Sequence, residues 1–273
     1  MERLKTILLP LVALGFAIAA HANPDTTILL SQQKNIPGSF SDFYTDGLNN
    51  TYLITQSNQI QKLDARYDST AVYNDVRRYG DIYCFDGSNP LKELVYYKDF
   101  STILVLDRFL NPRNTIDLRN AGILQAKAIA ASYDNNYWVF DELDNKLKKL
   151  DDNGNLLLQT ADFTVLFGEG YNPCQVIDNG GLLYLYDEKN GWLIFDYYGA
   201  LKQKLPLAGW KNVQVENKNL MGHDDNYLYI ANPATLSLQK IKPNLNLATA
   251  IKIQKRGNNF FVLTKEGLTI YSL

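Results

Sequence analysis

The sequence predicts an all-β fold: a six-bladed β-propeller with four-stranded blades, its ring closed by the N-terminal strand. Three observations predict it. Pairs of short apolar strands joined by polar turns recur along the whole chain. The residue that ends the second strand of each pair recurs at a nearly fixed step. No Gly/Ser, Pro-rich or charged linker interrupts the series, and 18 tyrosines in 273 residues suit strands.

The unit is plainest in "NNYWVFDELDNKLKKLDDNGNLL", residues 135–157. Two strands this short cannot bury Trp138, Phe140, Leu147 and Leu150 by themselves, so they must pack against neighbouring units. Similar pairs begin at Asn50, Lys92, Gly181, Asn226 and Asn259. Asp64, Asp107, Asp151, Asp196 and Lys242 end the second strands, at steps of 43, 44, 45 and 46 residues. A period in this range with several strands per unit is the signature of a propeller blade.

Each pair is expected to be preceded by an inner strand: "SDFYTD", "GDIYCFD", "KAIAASYD", "CQVID" and "NLMGHD". A further strand follows it in "STAVYNDV", "NTIDLR", "LLLQTADF" and "ALKQKLPL". The last unit stops at Leu273 with no strand after it, while "TTILLSQQ", residues 26–33, is unmatched at the other end. The simplest closure pairs 26–31 with 268–271 and hides the two most exposed sheet edges. Runs such as "YWVF", "LLYLY" and "TILVL" fit strands buried on both faces.

The pattern of strand, turn, strand, Asp and a Gly- or Asn-containing turn, as in "KLKKLDDNGNLLLQT" and "WLIFDYYGALKQKL", resembles secreted six-bladed propellers of the NHL and TolB type. The resemblance implies the architecture. Such families bind proteins, peptides or carbohydrates, and some are lactonases, cyclases or quinone-dependent dehydrogenases. Fold likeness alone does not carry function.

The first 22 residues read as a signal peptide. Arg3 and Lys5 precede an apolar run at 7–20, and "AHA" at 20–22 fits a cut before Asn23. The apolar run is short for a membrane span of roughly 20 residues. The expected product is a single propeller over 23–273, with no membrane span after cleavage. It is exported to a bacterial cell envelope: periplasmic, associated with the outer membrane, or secreted. A net charge of −2 argues against a phosphate-tracking surface and so against nucleic acid. Cys84 and Cys174, on inner strands two blades apart, are expected to be buried thiols beyond disulfide reach.

Catalytic signatures are sparse. His223 is the one histidine after the expected cut, and its neighbour Asp224 would point to the opposite face of a strand. His223 is expected on the surface or the channel wall, and no G-x-S-x-G elbow is present. "DDNGN" lacks the closing Glu of a calcium loop, since position twelve is Asp162. "NNT" at Asn49 matches a glycosylation triplet only by pattern. No catalytic or metal residues are assigned, and no cofactor is expected.

The candidate binding residues lie at strand ends. Asp46, Asp86, Asp134, Asp178 and Asp224 end the inner strands and are expected on one face, with Tyr133 and Arg78 as anchors. Such a rim could take Ca²⁺ or a basic partner. Turn chemistry is the competing explanation, because Asp bonds its own backbone two residues on. Aromatic residues at 79–85, Tyr96-Tyr97, Tyr197-Tyr198 and Trp210 are either anchors or blade packing, and Arg77 lies beside Arg78. The expected function is a binding or scaffolding module docking a protein or peptide of the envelope on one propeller face. The alternative is a propeller enzyme, a Ca²⁺-dependent lactonase or a carbohydrate lyase. An apolar patch on one face would favour the module.

Overall fold

A computed structural model describes residues 26–75, 78–168 and 170–273. The expected signal peptide, its cut before Asn23, and Arg77 lie outside the described residues. Six sheets form the blades of a propeller ring. Blade 1 comprises Phe40–Thr45, Thr51–Thr55, Ile60–Leu63 and Ser69–Tyr73. Blade 2 comprises Cys84–Asp86, Lys92–Tyr97, Thr102–Asp107 and Pro112–Asp117. Blade 3 comprises Ala126–Ala131, Tyr137–Asp141, Lys146–Leu150 and Leu156–Gln159. Blade 4 comprises Gln175–Asn179, Leu182–Asp187, Gly191–Phe195 and Leu201–Leu205. Blade 5 comprises Lys211–Glu216, Asn219–His223, Leu228–Asn232 and Ser237–Pro243. Blade 6 comprises Lys252–Arg256, Asn259–Thr264 and Gly267–Ser272, and Ser31–Pro37 is its outer strand. None of the described helices is long and apolar enough to cross a membrane.

The opening pair shows why single blades do not stand alone. Tyr137–Asp141 is buried at every position. Trp138, Phe140 and Leu147 pack with Val176, Leu183, Leu185 and Phe195 of blade 4. Tyr137, Val139 and Leu150 pack the other way, with Leu94, Tyr96, Ile103 and Val105 of blade 2. The period-2 alternation thus feeds two interfaces at once, and each such large apolar side chain contributes about 1.5–3 kcal/mol by burial.

Each blade is an antiparallel meander, so its turns divide between two faces. One, the turn face, carries the inner-to-second and third-to-fourth turns. The other, the connection face, carries the second-to-third turns and the blade-to-blade connections. The recurring aspartates have one job on the turn face. Asp64, Asp107, Asp151 and Asp196 each accept, on Oδ1, the backbone N–H groups two and four residues on, at 2.8–3.0 Å. Position four of these turns is left-handed, at Tyr67, Leu110, Gly154 and Gly199. Gly154 suits its φ of 80° because glycine has no Cβ to clash there.

The ring closes through the N-terminus, but with a different strand from the one the sequence suggests. Ser31–Pro37 pairs with Gly267–Ser272, Gln32 opposite Tyr271 and Ile36 opposite Leu268. Residues 26–28 instead pair in parallel with Ser237–Pro243 and extend blade 5 to five strands. The apolar "TTILL" looks like the better strand, yet outer strands here face solvent and are polar. Leu30 sits between the two blades, buried with Leu228, Leu247 and Phe260. Asn244 clamps its backbone on both sides, accepting from Leu30 N at 2.8 Å and donating to Leu30 O at 3.1 Å.

Blade 5 is offset by one strand from the sequence reading. Its inner strand is Lys211–Glu216, and "NLMGH" is its second strand. The third strand ends at Asn232, whose Oδ1 accepts from Ala234 N and Thr235 N, so the aspartate marker is absent. Lys242 lies within the fourth strand, and the 46-residue step to it compares unlike positions. Another difference lies in "LLLQTADF": the strand stops at Gln159, and Asp162 caps a short helix, Phe163–Phe167.

Among the described residues no disulfide forms, and Cys84 and Cys174 are free. Their expected burial fails: Cys84 is half-buried and Cys174 exposed. Both line a central channel of about 450 Å³ that the six inner strands surround.

Candidate functional site

The four acids that end inner strands, Asp46, Asp86, Asp134 and Asp178, lie on the turn face, as expected. Each is engaged within the protein. Asp46 is fully buried and accepts Leu48 N at 2.8 Å, Asn50 N at 2.9 Å, Asn50 Nδ2 at 2.7 Å and the Tyr52 hydroxyl at 3.1 Å. Asp86 accepts Ser88 N at 2.8 Å and, across the blade seam, Ala131 N at 2.7 Å. Burial pushes its carboxyl above the usual range despite those bonds. Asp134 holds Lys149 at 2.7 Å. Desolvation works against its charge, but hydrogen bonds from Lys149, Ser132 and Asn136 keep its carboxyl below the usual range. Asp178 accepts the Tyr197 hydroxyl at 2.6 Å, Trp138 Nε1 at 3.3 Å and Ser132 Oγ at 3.2 Å.

Tyr133 is the exposed member of this group, 68% accessible, and stacks on Tyr197 at 4.4 Å and 21°. Lys149 Nζ lies 4.9–5.9 Å from the Tyr133, Trp138 and Tyr197 rings. Tyr198, next in sequence to Tyr197, is exposed. Tyr96, Tyr97 and Trp210 are buried between blades, so packing accounts for them.

Two candidate residues lie on the other face. Arg78, in the connection from blade 1 to blade 2, rests on the Tyr79 ring at 5.1 Å. Asp224 follows the second strand of blade 5, not its inner strand, and therefore occupies the connection face; Glu216 ends the inner strand. Its carboxylate accepts Asn226 N, Tyr227 N and the Tyr229 hydroxyl at 2.6–2.8 Å. His223 is buried, not on the surface or the channel wall. It touches Asp224 O at 2.8 Å and Asn212 Oδ1 at 2.7 Å, beside a cavity of about 30 Å³ between blades 5 and 6. Burial lowers its pKa. Among the described residues no group of three or more His, Cys, Asp or Glu side chains converges as a metal site.

The connection face carries a feature absent from the sequence reading. Phe100, Leu124, Leu143, Val165 and Leu166 are all exposed there, with Leu143 at 63% and Val165 at 78%. They follow one another around blades 2, 3 and 4, and the segments that carry them are tied together. Ser101 Oγ donates to Leu124 O at 2.5 Å, and Gln125 Nε2 to Glu142 Oε2 at 2.6 Å. Phe163 N donates to Asn145 O at 2.9 Å, and the Phe163 ring stacks on Phe195 at 5.7 Å. The helix is thereby anchored with Val165 and Leu166 outward. "DFTVLFG" held a signal: a capping Asp, five helix residues and a left-handed Gly168.

No family model and no curated protein matches this sequence. Solved structures do match in fold. A virginiamycin B lyase from Staphylococcus aureus superposes with a TM-score of 0.64 at 11% identity, covering 89% of this chain and 99% of that one. A streptogramin B lyase gives 0.59 at 15% identity, over 85% and 78% of the two chains. The extracellular domain of a putative hybrid two component system, BT3049 from B. thetaiotaomicron, gives 0.58 at 14% identity. That match covers 84% of this chain and 33% of the other. The likeness is one of fold. The chain folds as a six-bladed β-propeller.

Proposed function

We propose that this chain is a docking module of the bacterial cell envelope that seats a protein or peptide partner on its connection face. One observation carries the reading. Phe100, Leu124, Leu143, Val165 and Leu166 line an apolar arc across three blades of a rigid ring. Exposed apolar side chains gathered on neighbouring, hydrogen-bonded segments suit an interaction site, and loops on a fixed scaffold are where binding is placed. The leader-like sequence at 1–22 supports export, and no nucleic acid is expected as a partner.

The acidic turns offer a second docking surface, favoured by the exposed Tyr133 stacked above Lys149. An enzyme reading, a Ca²⁺-dependent lactonase or carbohydrate lyase, would draw on the carboxylates of the channel, Asp86, Asp178 and Glu216. Capture of the native partner from cross-linked cells separates the docking surfaces. Leu143→Glu/Val165→Glu should lose capture, whereas Asp86→Asn/Asp134→Asn/Asp178→Asn should retain it, with both variants folded. The opposite outcome moves the site to the turn face. Calcium-dependent turnover of a lactone or polysaccharide would favour the enzyme.

A further inference from the structure

The channel has its own electrostatics, separate from either face. Its cations are mostly spent within the protein. Lys252 pairs with Asp42 at 2.7 Å, Lys255 with Glu216 at 3.3 Å, and Lys127 with Glu142 at 3.8 Å. Arg256 differs. It ends the inner strand of blade 6 and lines the channel. Among the described residues no carboxylate lies within ion-pair range of it. Its Nη2 donates to Thr45 O at 3.3 Å, and its Nε is buried without a partner. A guanidinium has five donors in a planar fork, so most of its capacity is unused.

Two channel carboxylates have the complementary character. Asp86 ends the inner strand of blade 2, and Asp178 lies near the end of the inner strand of blade 4. Both line the same channel, and neither has a Lys or Arg partner among the described residues. Their hydrogen bonds come from neutral groups: backbone N–H, Ser132 hydroxyl, Trp138 indole and Tyr197 hydroxyl. Burial is the main force that raises the Asp86 pKa, and the charge of Asp178 adds a smaller one. Blades 2, 4 and 6 alternate around the ring. Among the described residues that line this cavity of about 450 Å³, Arg256 is thus a cation without an ion pair, and two acids lie on the other alternate blades. Small-molecule sites are of this size, about 300–1,000 Å³.

We infer that the channel binds a small zwitterion of the amino-acid type, its carboxylate on Arg256 and its ammonium between Asp86 and Asp178. A planar carboxylate matches the fork of a guanidinium and would engage donors of Arg256 that have no protein partner. An ammonium between two acids would relieve their mutual repulsion. A purely anionic ligand would meet those acids unfavourably, and a purely cationic one would meet Arg256.

The test uses the protein without its leader and each of the twenty amino acids singly, by calorimetric titration. At least one should bind saturably, and its deamino and decarboxy analogues should each bind about tenfold more weakly or worse, as expected for loss of a charge-assisted contact. Arg256→Gln should lose about tenfold or more for the amino acid but little for the decarboxy analogue. Where that variant does not fold, the Arg256 Nε–Hε resonance of the wild-type protein decides, and it should move with the amino acid and not with the decarboxy analogue. No saturable binding by any amino acid, equal binding by Arg256→Gln, or an unmoved Arg256 resonance overturns the proposal. Partner capture does not enter this test, so its outcome and that of the docking reading are separable.

Discussion

On the turn face, the ring spends its polar groups on itself. Five acceptor aspartates there, Asp46, Asp64, Asp107, Asp151 and Asp196, close short turns through paired bonds to backbone N–H groups. On the connection face the second-to-third turns are as short, but most blade-to-blade connections are longer and differ from blade to blade, and apolar side chains stand outward across blades 2–4. The difference teaches that a repeated acid in a propeller is first a turn former. Variation between blades, not repetition, is where a partner surface is to be sought.

The largest expected effect falls where the ring is closed. Deleting residues 26–37 removes the outer strand of blade 6, the fifth strand of blade 5 and the buried Leu30. Loss of a buried leucine alone costs about 2–5 kcal/mol, so the urea midpoint should fall by more than that amount accounts for. A midpoint near wild type would mean the strand is dispensable. Next comes Phe163→Ala, which empties the stack on Phe195 beneath the helix. It should cost about 3–5 kcal/mol and weaken partner capture, since it loosens Val165 and Leu166 while leaving the turn face alone. Unchanged capture by a folded Phe163→Ala protein would separate the helix from the site.

Amide staples give a smaller effect. Gln254 both accepts Thr45 N and donates to Thr45 O, at 2.8 Å each, across the seam from blade 6 to blade 1. Gln254→Leu leaves the buried Thr45 N unbonded, at about 1–3 kcal/mol, and leaves Thr45 O only the 3.3 Å bond from Arg256 Nη2. Thermal denaturation of Gln254→Leu would check this. Gly154→Ala, at φ 80° and with Ile116 Cγ2 3.1 Å from the added Cβ, should cost about 1 kcal/mol by the same assay.

The smallest effect is a pH dependence. Backbone N–H groups of Asp68 and Arg66 hold the Asp64 carboxyl below its ordinary 3.8. The Asn155 side chain and backbone do so for Asp151, and Ala200 N and Lys202 for Asp196. A depressed folded pKa contributes stability that is full above the unfolded value and lost as pH falls through the folded one. Melting temperature should therefore decline below about pH 4, and Asp64→Asn/Asp151→Asn/Asp196→Asn should flatten that decline. An equally steep decline in the triple variant would assign the acid sensitivity to other groups.

Blades 1–4 were legible in the sequence because their third strands end on the same aspartate turn, at 64, 107, 151 and 196. Blade 5 was not, because Asn232 and Pro233 replace that turn and shift the apparent period onto Lys242. That shift carried Asp224 to the wrong face. The closing strand was hidden by its polarity, which its place at the solvent rim explains. The apolar arc was hidden because "FTVLF" reads as a continuation of a strand; only the cap at Asp162 and the left-handed Gly168 turn it into a helix. Arg256 carried no signal at all, since its lack of an ion-pair partner is a matter of which side chains meet around the channel.

Placement of a photo-reactive side chain at Val165 or at Tyr133 tests the docking face most directly. Each variant is returned to the native cells, illuminated, and probed for a covalent adduct with the proposed partner. A partner adduct from position 165 and none from position 133 is the predicted result. An adduct from 133 with none from 165 would contradict the account and put the partner on the turn face.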